Sequence, residues 1–275
     1  MKPTEDAATS RLYELVSELH SVAVAYSGGT DSTYLLAVCL DLLGPTNVLA
    51  LTADSPLTAR AELAQAQALA VQLGARHRLL ATDDLATQNI AANPPDRCYH
   101  CKFTRFAALL KVARIEGLSV LIHGENADDA ADYRPGSRAA EELGVRAPLR
   151  EAGLTKADVR RLSRARGLSN WNKPANACLA SRFPYGTPLT PEGLARVESA
   201  EDVLCRIWGL DQLRVRDVHP LARIEVPPGE IARIAHPEHR AAAVEALRHL
   251  GYQYIALDLD GYRMGSLNDV LELRD

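Results

Sequence analysis

Residues 22–26 (VAVAY) make a short, uninterrupted apolar run that stops at Ser-Gly-Gly. This is the pattern of a strand buried on both faces of a parallel sheet. A helix is predicted over 31–43. Residues 47–53 (NVLALTA) then read as a second strand, 58–73 as an alanine-rich helix stopped by Gly74, and 76–81 as a third strand. A further helix is predicted over 102–116, ended by Gly117, and 119–123 (SVLIH) supplies a fourth buried strand. Strands alternating with helices predict an α/β fold with a doubly wound parallel sheet, whose ligands gather beyond the carboxyl ends of the strands.

The pattern changes after about residue 149. Residues 155–166 read as a helix that opens on a capping box, Thr155 with Asp158, and closes on a basic turn before Gly167. A loop rich in Asn, Pro and Gly occupies 168–190. Thr190-Pro191-Glu192 is a helix start, with Thr as N-cap and Pro at the first helical position, and the helix is predicted to run to about 208. Strands are expected at 213–218, 221–226 and 252–259, with a helix over 237–250. The expected organisation is a nucleotide-type domain at 1–167, an active-site loop at 168–190, and a smaller C-terminal α+β domain at 191–275 for substrate binding or oligomerisation.

Composition fits this division. A chain of 275 residues, 47% hydrophobic, can bury one large core and one smaller one. No apolar run approaches the ~20 residues of a membrane helix, and the first twenty residues are charged and amphipathic rather than signal-like. A cytoplasmic protein with no membrane partner is expected. The formal net charge of -4 and pI near 6.1 offer no footprint for a polyanion, so small substrates are favoured over nucleic acid.

The sharpest motif is Ser27-Gly28-Gly29-Thr30-Asp31-Ser32, between a buried strand and a helix. Glycines allow a tight turn whose N–H groups face phosphate oxygens, the serines add hydroxyls, and the helix N-terminus adds partial positive charge. Asp31 can hold a magnesium ion on the pyrophosphate. A plain Gly-rich turn is the bland alternative, but the full string in its strand-to-helix setting favours phosphate. It is neither the GxxxxGK[ST] loop nor the GxGxxG fingerprint. It resembles the SGGxDS pattern of the PP-loop superfamily, which implies cleavage of ATP to AMP and pyrophosphate by adenylation of a substrate oxygen. Two more strand ends, Thr52-Ala53-Asp54-Ser55 with Arg60 beyond, and the stretch from His123 through Gly124, Glu125 and Asn126 to Asp129, suit the same nucleotide. For Asp54 and Asp128 an ordinary loop-capping role is the better reading. The resemblance implies ATP contacts at Ala25, Ser27, Gly28, Gly29, Asp31, Ser32, Thr52, Ser55, Arg60, Gly124, Asn126 and Asp129.

Five cysteines in a cytosolic chain of this length do not make a disulfide framework. Cys39 and Cys205 fall among apolar neighbours in predicted helices and read as core. Cys98, Cys101 and Cys178 are expected in loops with Arg97, Lys102 and Arg182 nearby, a setting that favours thiolate. A CxxC alone is compatible with a redox pair, half a zinc site, or nothing. Three loop cysteines can ligate three irons of a 4Fe-4S cluster and leave the fourth open. His100 reads as a loop residue.

The strings PPDRCYHCK (94–102), GENADDAADYRPG (124–136), NACLASR (176–182) and LRVR (213–216) resemble the LarE family over nearly the whole chain. The resemblance implies an ATP- and Mg2+-dependent sulfurtransferase. Its substrate would be pyridinium-3,5-biscarboxylic acid mononucleotide, whose carboxylates become thiocarboxylates for the nickel-pincer cofactor of lactate racemase. One branch of the family sacrifices the sulfur of a single cysteine, here matched by Cys178; another holds a 4Fe-4S cluster on three. The added Cys98 and Cys101 make this chain look like the second, with the source of the sulfur, cluster-bound sulfide or Cys178 itself, left open by the sequence. Glu125 departs from the family, where Thr is expected. Arg182, Arg214 and Arg216 would grip the substrate's phosphate, the last two alternating along a strand and so sharing a face. Glu225 would hold a metal or balance these arginines. A homo-oligomer, and other cofactor-maturation proteins as partners, are also expected. Two other readings stand beside this one: a PP-loop tRNA thiolase, and a nucleotide-sensing module without chemistry.

Overall fold

A computed structural model describes residues 7–131, 135–174, 177–263 and 265–266. Asp132, Tyr133, Arg134 and Asn176 of the strings quoted above lie outside the described residues. The chain divides into two compact units: Met1–Ile90 with Asp96–Asn176, and Ala91–Pro95 with Ala177–Asp275.

The first unit opens on α1 (Ala7–Ser17), followed by β1 (Val22–Ala25), α2 (Thr30–Leu43), β2 (Val48–Asp54), α3 (Arg60–Gln72) and β3 (Arg76–Ala81). A short α4 (Gln88–Ala91) leads to α5 (Arg97–Ile115), β4 (Leu121–His123), α6 (Pro135–Glu142), α7 (Pro148–Glu151) and α8 (Lys156–Ala165). The four strands are parallel in the order β3-β2-β1-β4. Side chains alternate across a strand, and here both faces are buried. Val22, Val24, Val48 and Ala50 pack in one cluster with Leu12 of α1, Leu35 of α2 and Val159 of α8. Ala23, Leu49 and Leu51 pack in another with Phe106, Leu109 and Val112 of α5. Burial of a single such aliphatic side chain contributes about 1.5–3 kcal/mol, so the two-sided core holds the strand ends rigidly.

One expectation needs correction. Cys98, His100 and Cys101 are not in a loop, because α5 begins at Arg97 rather than near 102. Pro94 and Pro95 cannot continue a helix and so close the preceding segment, but the first turns of α5 (RCYHCK) are polar and mask the helical period. Helix α1 was also not anticipated; its stripe of Leu12, Leu15 and Val16 is buried. The Thr155 capping box is present in both directions.

In the second unit, α9 (Pro191–Trp208) begins where Thr190 Oγ1 accepts from Gly193 N at 3.1 Å. It is followed by β5 (Arg214–Val218), β6 (Leu221–Glu225), α10 (Ile231–Ala235), α11 (Pro237–His249) and β7 (Tyr254–Leu257). β5 and β6 pair antiparallel, and β6 and β7 parallel, so this unit is α+β. Ala200, Leu204 and Trp208 of α9 form its core with Val215, Ile224 and Leu247. Among the described residues no helix is long and apolar enough to cross a membrane.

Candidate functional site

The turn from β1 into α2 is closed by its own hydroxyls. Ser32 Oγ accepts from Ser27 N at 3.3 Å and lies 3.2 Å from Ser27 Oγ; Gly29 N donates to Ser27 Oγ at 3.4 Å. Gly28 has φ +71°, and a Cβ there would stand 2.7 Å from Ala66 Cβ of α3. Only glycine meets both demands. From outside the turn, the buried Asn170 donates through Nδ2 to Gly28 O (3.0 Å) and Thr33 Oγ1 (2.9 Å), while its backbone carbonyl accepts from Thr30 Oγ1 (3.0 Å). Asn170 had no local signal in the sequence, since its partners lie about 140 residues away.

Asp31 faces this loop from the first turn of α2. Lys156 Nζ, at the start of α8, donates to its Oδ2 at 2.6 Å, and Lys156 N donates to Asp128 Oδ2 at 2.9 Å. Burial pushes the Asp31 carboxyl above the ordinary carboxylate range, with Lys156 opposing that rise and Asp129 adding to it. Among the described residues Asp31 Oδ1 is buried without a hydrogen-bond partner. An anionic oxygen left in this state fits a divalent cation, which takes oxygen ligands and keeps several waters when it is magnesium.

The neighbouring strand ends meet the same place. Gly124, after β4, approaches α2 so closely that a Cβ would lie 2.7 Å from Ser32 N. Beyond it Asn126 N donates to Asp129 Oδ2 (3.1 Å) and Asn126 Oδ1 accepts from Asp128 N (3.0 Å). Asn126 and Asp129 therefore hold the loop's own backbone. At the end of β2, Thr52 Oγ1 donates to Tyr26 O at 2.7 Å and lies 2.8 Å from His77 Nε2. Ser55 Oγ hydrogen bonds to Asp84 and accepts from Leu57 N (3.0 Å) and Arg105 Nη2 (2.8 Å). A hydroxyl has one donor and two acceptor sites, so that of Ser55 is fully used. Arg60 pairs with Asp54 and donates to Ser55 O. Ala25 is the last residue of β1, paired with Leu51 and His123.

Glu125 is buried. Its Oε1 accepts from Arg150 Nη1 at 2.9 Å, and its Oε2 lies 3.5 Å from His123 Nε2. That approach does not keep the imidazole charged: burial, with Lys102 and Arg150 adding to it, lowers the His123 pKa from 6.5 to about 3. The unfolded chain takes up this proton below pH 6.5 and the folded chain does not, so stability is present above pH 6.5 and is lost as pH falls toward 3. Linkage puts the loss at pH 5 at about 2 kcal/mol. Urea unfolding of His123→Gln at pH 7 and pH 5 should show a drop smaller by that amount than the parent's; an equal drop in both proteins would contradict a neutral buried His123.

Cys98 is exposed and Cys101 buried, one turn apart on α5. Arg97 Nη2 donates to Cys98 Sγ at 3.9 Å. The expectation for Cys39 holds: it is buried, and burial raises its thiol pKa to about 12. Burial raises Cys205 to about 11. Cys178 belongs to the second unit, before a single turn over Leu179–Arg182. Its carbonyl accepts from Ser181 Oγ (2.8 Å) and Arg182 Nη1 (3.1 Å). Among the described residues no three His, Cys, Asp or Glu side chains form a metal-holding group. Thiolate is the protein ligand that iron-sulfur clusters take, and Cys98 and Cys101 offer two from the first turns of α5.

Three arginines of the second unit, Arg182, Arg214 and Arg216, are buried. Arg182 forks onto Glu201 (Nε–Oε1 2.9 Å, Nη2–Oε2 2.8 Å). Arg216 forks onto Glu225 (2.9 and 2.6 Å) and donates to Ser181 O at 2.7 Å. Glu225 also meets Arg223 at 3.1 Å, so it balances arginines. Arg214 donates to Leu213 O and lies over the Tyr262 ring at 5.1 Å. Burial, together with Arg182 nearby, disfavours its charge. An anion beside Arg214 would relieve both effects.

A family model described as NAD synthase matches residues 7–98. The chain is 43% identical over 266 residues to an uncharacterized protein of Synechocystis sp., covering 97% of this chain and 98% of that protein. It is 40% identical over 260 residues to the pyridinium-3,5-bisthiocarboxylic acid mononucleotide synthase of Lactiplantibacillus plantarum, covering 94% of this chain and 93% of the synthase. It is 29% identical over 242 residues to an uncharacterized protein of Methanocaldococcus jannaschii, covering 88% and 90%.

Proposed function

The chain belongs to the family of pyridinium-3,5-bisthiocarboxylic acid mononucleotide synthases, and from that premise we propose that it is an ATP-dependent, AMP-forming sulfurtransferase acting on pyridinium-3,5-biscarboxylic acid mononucleotide. Identity over nearly the whole length, 94% of this chain, is the observation that carries the reading. The loop from Ser27 to Ser32 receives the pyrophosphate, and Asp31 holds magnesium through the oxygen that Lys156 does not occupy. Backbone groups at the ends of β1, β2 and β4 receive the nucleoside, because the side chains of Thr52, Ser55 and Asn126 already serve the protein. Attack of a substrate carboxylate on the α-phosphorus makes an acyl adenylate and releases pyrophosphate. Sulfur then displaces AMP. Arg182, Arg214 and Arg216 bind the substrate's phosphate, with Arg182 and Arg216 oriented by Glu201 and Glu225.

Cys98, Cys101 and Cys178 would hold a 4Fe-4S cluster, which when bound supplies a sulfide at an iron without a protein ligand. The protein works in the cytoplasm as a homo-oligomer. Anaerobic purification should yield about four irons and four sulfides per chain, and Cys98→Ser with Cys101→Ser should lose the iron, the absorption and multiple turnover. Turnover by that double variant equal to the parent's would exclude the cluster.

A further inference from the structure

Away from the phosphate loop, one buried carboxylate gathers groups from the segment after β2 and from helix α5. Asp84 is 0% exposed and follows β3. Its Oδ2 receives the hydroxyl of Ser55, the residue that follows β2. The same oxygen accepts from Arg105 Nε at 2.9 Å and Nη2 at 2.6 Å, and from the Cys101 thiol at 3.9 Å. Arg105 Nη2 reaches Ser55 Oγ as well, at 2.8 Å. Arg105 stands four residues after Cys101 on α5, so both project from one face of that helix.

A buried carboxylate needs compensation, and Arg105 supplies it with a fork whose geometry fixes direction as well as charge. Ser55 and Cys101 therefore meet on the same atom. A shift of the β2 end by a bound nucleotide moves the acceptor of the Cys101 thiol, and interior packing transmits such small shifts rather than absorbing them. We propose that Asp84 and Arg105 are positioning residues that tie the Cys101 thiol to the nucleotide-bearing end of β2, so that nucleotide occupancy sets the exposure of Cys101. Binding energy is reciprocal, and the state of Cys101 in turn alters nucleotide affinity.

The inference rests on the reading that this strand end receives ATP, so binding of AMPCPP, which is not cleaved between its α- and β-phosphates, is measured first on the parent by calorimetry; failure there is failure of that reading alone. In the full chain, iron-free after chelation, the alkylation rate of Cys101 by N-ethylmaleimide is followed by peptide mass spectrometry with and without saturating AMPCPP. The parent should change at least about fivefold on binding. Arg105→Lys, which keeps the charge and loses the fork, and Asp84→Asn, which keeps the shape, should bind AMPCPP more weakly and reduce that change to less than about twofold. Circular dichroism identifies a variant that does not fold, and the other then decides. No change in the parent, or the same change in parent and folded variant, overturns the proposal.

Discussion

Asp31→Ala is expected to stop AMP formation while leaving the chain folded. The carboxylate is the only acceptor the structure gives Lys156 Nζ among the described residues, and its other oxygen is buried without a partner beside the phosphate loop. Losing a metal ligand at a pyrophosphate removes several kcal/mol of transition-state stabilisation, which corresponds to a fall of about a hundredfold to a thousandfold in rate. Stability should change far less, because Lys156 N stays bonded to Asp128 and the Thr155 capping box still starts α8. Release of AMP and pyrophosphate, measured beside a thermal melt, checks both halves. A parent-like rate would remove the magnesium role from Asp31.

Cys178→Ser should separate the two half-reactions. The turn that carries Cys178 is held through backbone and neighbouring side chains, by Ser181 and Arg182 on the Cys178 carbonyl, so the oxygen analogue fits without loss of fold. The loop Ser27–Ser32 and Asp31 lie in the first unit and Cys178 in the second, so adenylation should continue. Transfer of sulfur to substrate should fall below detection, because a serine oxygen neither ligates iron as a thiolate does nor carries sulfur. AMP would then form without thiocarboxylate. Undiminished thiocarboxylate formation by this variant would assign the sulfur chemistry to other residues.

Much of the first unit was legible because its signals are local. A run such as VAVAY with SGG behind it, and Thr155 with Asp158, each state their structure within a few residues. What stayed hidden depends on partners far along the chain. Asn170 braces Gly28 and Thr30 from about 140 residues away, Lys156 reaches Asp31 across 125, and Arg105 meets Ser55 across 50; no window of sequence contains both members of such a pair. The start of α5 is hidden because Arg97, His100 and Lys102 in its first turns are polar positions that the hydrophobic period does not mark. The sequence points the arginines at an anion but does not show that Arg182 and Arg216 each fork onto a glutamate. That follows from their burial, since a guanidinium taken from water needs a carboxylate or an equivalent partner. Glu201 sits inside the predicted helix now called α9, where a single carboxylate carried no signal of its own.

The most direct test supplies the chain with pyridinium-3,5-biscarboxylic acid mononucleotide, ATP, magnesium and sulfide without oxygen, and follows substrate and nucleotide together by mass spectrometry. The expected result is replacement of carboxylate oxygen by sulfur, with one AMP released for each replacement. AMP release without a sulfur-bearing product, or a sulfur-bearing product without AMP, would contradict an adenylating sulfurtransferase.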